Sequence, residues 1–155
     1  IDLNTVRMLK SAGDFNVFDK MDNNVAVLKL FPGITKSVVQ QICRDENING
    51  LLIETFGSGN APTKDWFLEE IQQLIERGVT VVNVTQCNDG FVEQGRYGSS
   101  RGFAAMGVLS AADMTFEAAL TKLMHVLSYC KDPDAIATAF LEDKRGELTT
   151  FSSLV

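Results

Sequence analysis

The residues best suited to hold a ligand follow the apolar run G-L-L-I-E-T-F, which breaks at Gly57 into G-S-G-N-A-P-T and restarts as an amphipathic helical pattern. A strand that ends in a Gly-Asn loop and resumes as a helix is how α/β proteins build a small-ligand crevice. Gly57 and Gly59 let the backbone approach a ligand where a Cβ would obstruct it. Asn60 brings a donor and an acceptor to one place. Two other apolar runs also end in turn-forming or polar residues, Pro32-Gly33 and T-Q-C-N-D-G after Val84. The loops supply Thr55, Ser58, Asn60, Thr85, Gln86, Cys87 and Asn88, neutral hydrogen-bonding groups suited to a zwitterion such as an amino acid. Ordinary turn and capping duty accounts for the same residues, and at this level both readings stand. Phosphate is the weaker fit, because G-S-G-N-A-P lacks the Lys-Ser/Thr ending of a P-loop and the third glycine of a dinucleotide fingerprint.

A reaction needs more than a cradle. Cys87 would need a base or a lowered pKa to act as nucleophile. The only histidine, His125, lies in L-M-H-V-L and reads as a half-buried helix residue. Asp89, Glu93 and Asp113 are explained equally well as caps and solvated loop acids. Cys43, Cys87 and Cys130 form no CxxC or Cys/His pattern, so no metal site is expected. No catalytic set can be assembled, and the chain reads as a binding domain.

The elements that would position these residues alternate. Strands are expected over 25–31, 50–56, 79–85 and 107–111. Helices are expected after Thr35, over 63–77 (closed by Gly78), near 101–106, over 115–128 and over 133–142. Asp132 is a cap candidate for the last of these, and Pro133 sits in its first turn. Ala119, Leu120, Leu123 and Leu127 would face inward. Residues 86–98 read as a loop, and 1–24 as a lead-in with a short strand around Asn16–Phe18. Strands alternating with helices imply a parallel sheet covered on both faces. The expected fold is α/β, three-layer α/β/α with a four-stranded parallel sheet, flavodoxin-like in outline.

Composition narrows the function classes. The 155 residues are enough for one domain with a real core, 45% hydrophobic and 22% charged. A net charge of −6 argues against a nucleic-acid surface. No run is long enough to span a membrane. No signal peptide is visible, and three dispersed cysteines suggest reduced thiols, so a cytoplasmic location is expected. The missing initiator Met suggests a piece of a longer protein.

One ordered set of motifs is more specific than any part: V-L-K-L-F-P-G-I, L-L-I-E-T-F-G-S-G-N-A-P, V-V-N-V-T-Q-C, G-V-L-S-A-A-D-M-T-F-E-A-A-L-T-K-L and R-G-E-L-T. Together they make residues 25–149 resemble the C-terminal domain of the cytoplasmic, type I L-asparaginases. That resemblance implies a protein that hydrolyses L-asparagine to L-aspartate and ammonia without metal or organic cofactor. It implies a nucleophilic threonine in an N-terminal domain ahead of residues 1–24, and a homodimer or homotetramer. Asn60 would hold the substrate's α-amino group across the subunit interface.

An effector pocket involving Glu54, Gly59, Asn60, Ala61 and Cys87 is also implied. Glu54 stands where regulated members carry an arginine that binds the effector carboxylate, so regulation by asparagine is expected to be absent. A strand-end acid held by a local donor is the simpler reading of Glu54. The competing readings are a stand-alone amino-acid-binding module and the related subunit of a tRNA-dependent amidotransferase, which the acidic charge disfavours.

Overall fold

The computed structural model describes residues 17–93 and 98–149. Its centre is a parallel four-stranded sheet of β1 (Val25–Lys29), β2 (Gly50–Thr55), β3 (Thr80–Thr85) and β4 (Leu109–Ser110), in the order β1-β2-β3-β4. Among the described strands the order never reverses, so the sheet they form has no topological switch point of the kind that opens a crevice in doubly wound folds. Loops at its carboxyl edge must instead make any ligand site by their own shape.

Alternation along the central strands divides the core. Leu51, Ile53 and Val81 face α1 (Lys36–Cys43), α2 (Asp65–Glu76) and α3 (Gly98–Met106). Leu52, Val82 and Val84 face α4 (Phe116–Tyr129) and α5 (Pro133–Leu141). Both faces are covered, which is why the central strands are rich in aliphatic residues throughout. The three-layer α/β/α expectation is met.

The boundaries shift for local reasons. β1 stops at Lys29, although Leu30 N–H still donates to the Glu54 carbonyl. α2 begins at Asp65 and is closed by Gly78 at φ +88°, a conformation that favours glycine. α3 starts at Gly98, before the expected Arg101. β4 is shorter than the expected 107–111, because positive φ at Gly107 and Ala112 turns the chain at each end. Thr35 flanks α1, yet its hydroxyl meets Ser37 instead of a helix N–H. Thr115 and Asp132 do cap α4 and α5, accepting from the N–H groups of Ala118 and Ala135. On α4, Ala119, Leu123 and Leu127 are buried with Val126, and Leu120 is partly covered.

The expected strand around Asn16–Phe18 is not formed at Val17 and Phe18, and Asn16 lies outside the described residues. Val17 and Phe18 are 68% and 74% exposed and pair with no strand among the described residues. The segment instead runs onto α4, where Asp22 N–H donates to the Met124 carbonyl.

After α5 the chain returns to α4 through a polar clamp. The Lys122 ammonium donates to the Glu142 carbonyl at 2.6 Å and to Glu147 at 2.7 Å, with Lys122 and Glu147 side chains 7% and 16% exposed. Burial alone would raise the Glu147 carboxyl. Hydrogen bonds from Lys122 and from the backbone N–H groups of Arg145 and Lys144 outweigh it and hold the pKa at about 2. The folded value lies below the ordinary glutamate value of 4.5, so the clamp's stabilisation is present above about pH 4.5 and is lost as pH falls toward 2. Thermal unfolding followed by circular dichroism should show Tm falling between about pH 5 and pH 2. Glu147→Gln should lower Tm at pH 7 and flatten that acid slope. An unchanged slope would mean that other carboxylates set the acid limit.

Candidate functional site

Phe56 through Asn60 form a loop closed on itself. Phe56 N–H donates to the Asn60 carbonyl at 3.0 Å, and Asn60 N–H donates to the Phe56 carbonyl at 2.8 Å. Such tight closure requires left-handed backbone, supplied by Gly57 at φ +51° and Gly59 at φ +102°. The two glycines differ in what surrounds them. A Cβ on Gly57 would meet only the Asn60 amide, at 3.7 Å. On Gly59 it would lie 2.8 Å from Val92 Cγ1 and 3.1 Å from Asn83 Nδ2.

Beneath the loop lies a polar layer inside the sheet. Parallel register sets Thr55 beside Thr85 and Ile53 beside Asn83. Thr55 and Asn83 are both 0% exposed. The Thr55 hydroxyl donates to Asn83 Oδ1 at 2.6 Å, and Asn83 Nδ2 donates to the Gly59 carbonyl at 3.2 Å. The Thr85 hydroxyl donates to the Gly57 carbonyl and accepts from Cys87 N–H. Residues 91–93 brace the outer side: Glu93 N–H donates to the Ser58 carbonyl, Val92 N–H to the Ala112 carbonyl, and the Ser110 hydroxyl to the Val92 carbonyl. Gln86 ties the strand ends together through its amide, which donates to the carbonyls of Leu30 and Glu54.

On the α4 side, a cavity of about 510 Å³ is lined by Lys29, Glu54, Thr85, Gln86, Cys87, Asn88 and the start of α4 at Met114–Glu117. Lys29 Nζ lies 3.2 Å from Glu54 Oε1, which is the local donor for that strand-end acid. The structure thus brings Glu54 and Cys87 together in one cavity. Gly59, Asn60 and Ala61 belong to the adjacent loop, with Ala61 buried against the α1–α3 core. His125 is removed from both, its ring against Phe18 and Tyr129 at centroid distances of 6.1 and 5.1 Å. It lies ten residues beyond Thr115, about 15 Å along the helix axis. No His–Cys pair forms at the cavity. Among the described residues no group of His, Cys, Asp or Glu is placed to hold a metal ion. No helix among them is long and apolar enough to cross a membrane. Sequence reasoning passed over Asn83; the signal was a lone amide in the otherwise apolar or hydroxyl-bearing run V-T-V-V-N-V-T.

A family model described as the Glutaminase/Asparaginase C-terminal domain matches residues 24–140. The chain belongs to that family. As a Glutaminase/Asparaginase C-terminal domain, it is 39% identical over 147 residues to L-asparaginase 1 of Escherichia coli strain K12, across 95% of this chain and 43% of that protein. It is 37% identical over 150 residues to the 60 kDa lysophospholipase of Homo sapiens, across 96% of this chain and 26% of that protein. The fold matches the crystal structure of L-asparaginase I from Vibrio cholerae O1 biovar eltor with a TM-score of 0.83 and 36% identity, across 92% of this chain and 42% of that one. The chain spans less than half the length of these relatives. The likeness to type I L-asparaginases read from the motifs is therefore shown.

The loop geometry separates the two glycines energetically. Gly59→Ala should cost about 2–4 kcal/mol in denaturant unfolding, from left-handed strain plus the clash with Val92. Gly57→Ala should cost about 1 kcal/mol, from backbone strain alone. Equal losses would show that Val92 and Asn83 do not confine Gly59.

Proposed function

We propose that this domain is the C-terminal part of an L-asparaginase subunit that hydrolyses L-asparagine to L-aspartate and ammonia, with the nucleophilic threonine in a separate N-terminal domain. The observation that carries the reading is a closed glycine loop presenting Asn60 in an asparaginase-family domain. The Asn60 amide oxygen would accept from the substrate's α-ammonium group across an interface between subunits of a homodimer or homotetramer. Holding that end of the substrate places the side-chain amide against the nucleophile, which is where orientation gains rate. The chemistry needs no metal or organic cofactor, and the enzyme is assigned to the cytoplasm.

The decisive measurement is ammonia release from asparagine. The isolated chain should show none, and the parent protein carrying its N-terminal domain should be active. In that parent protein Asn60→Ala should raise KM by about tenfold or more and lower kcat, since one charge-assisted contact is lost. Turnover by the isolated chain would place a nucleophile here after all. Saturable amino-acid binding by a parent protein with no turnover would favour a sensor.

Regulation follows from charge. An asparagine carboxylate entering the cavity meets Glu54, already paired with Lys29, and must compete for that lysine. The asparagine saturation curve of the parent enzyme should therefore be hyperbolic. A sigmoidal curve that becomes hyperbolic on Lys29→Met would instead assign the effector carboxylate to Lys29.

A further inference from the structure

We propose that Asn83 and Thr85 are positioning residues for substrate binding, which act by holding the carbonyls of Gly59 and Gly57 and so fix the loop that presents Asn60. The inference rests on the substrate role proposed for Asn60. Three observations carry it.

The first is the cost of the arrangement. Asn83 is 0% exposed in the middle of β3, where a branched aliphatic residue would pack without desolvating an amide. The second is where its bonds go. Thr55 donates to Oδ1, which fixes the amide's orientation, and Nδ2 is thereby directed at the Gly59 carbonyl. Thr85, two residues on and on the same face, holds the Gly57 carbonyl in the same way. Both carbonyls belong to the glycines whose left-handed φ shapes the loop. The third is the lack of slack. A Cβ at Gly59 would meet both Val92 and Asn83, so the loop rests against the amide that holds it. A buried polar layer of this kind specifies one backbone path, and Asn60 follows Gly59 directly.

The test is a double-mutant cycle in the parent enzyme. Asn83→Asp keeps the side chain's size and its acceptor for Thr55, but turns a carboxylate oxygen toward the Gly59 carbonyl. Thr85→Val removes a single hydroxyl with little change of shape and serves where the Asp variant folds poorly. Each should raise KM for asparagine by about fivefold to tenfold, with a smaller change in kcat. In an Asn60→Ala background the same changes should alter KM by less than about twofold, because residues acting in series are not additive. Threonine hydroxyl restoration by Thr85→Ser should recover most of the lost affinity. A merely structural role predicts otherwise: lower Tm and active fraction, unchanged KM, and equal effects in both backgrounds. That result overturns the inference while leaving Asn60 in place. If Asn60→Ala leaves KM unchanged, the substrate role of Asn60 fails, and the positioning role falls with it.

Discussion

The register between β2 and β3 is the constraint that the carboxyl edge depends on. Pairing Gly50 with Thr80 carries through to Ile53 beside Asn83 and Thr55 beside Thr85. A slip of one residue would send these side chains to the α4 face and leave two glycine carbonyls without partners. The polar residues oppose such a slip, because it would turn Thr55 and Asn83 into an apolar core while exchanging only leucine and isoleucine elsewhere. The buried polar pairs thus favour one register, and through it they fix the loop.

Much of this layering was legible in the sequence. The helix face Phe67, Ile71 and Leu74 recurs at helical spacing, and G-L-L-I-E-T is the short apolar run, bounded by turn residues, expected of a strand covered on both faces. Boundaries were less legible, because β4 ends where its flanking residues Gly107 and Ala112 turn the chain and not where its apolar character runs out. Val17 and Phe18 show the opposite failure: β-favouring residues that join no strand among the described residues.

The site was legible as a set of loops but not as a geometry. Gly59 and Asn60 announce a tight ligand loop by type alone. Nothing local says that Asn83, 24 residues later, reaches back to the Gly59 carbonyl, because that contact exists only once the sheet has paired. Glu54 was identifiable as an anomaly, and its partner Lys29 became visible only through the parallel pairing of Lys29 with Glu54. The asparaginase family likeness, by contrast, came from the order of motifs and needed no geometry.

The sequential strand order carries a consequence for assembly. Every strand finds its neighbour across a single intervening connection, so the sheet can zip together in the order in which the chain is made, with modest loop-closure entropy at each step. The α4 face is different. Leu52, Val82 and Val84 stay uncovered until α4 folds back from beyond β4, and the Lys122 clamp closes only after α5 has formed. A sheet that paired before α4 was made would have one finished face and one wet, aliphatic face. In such a half-covered sheet the nascent chain would be most open to capture by a chaperone or by another copy of itself.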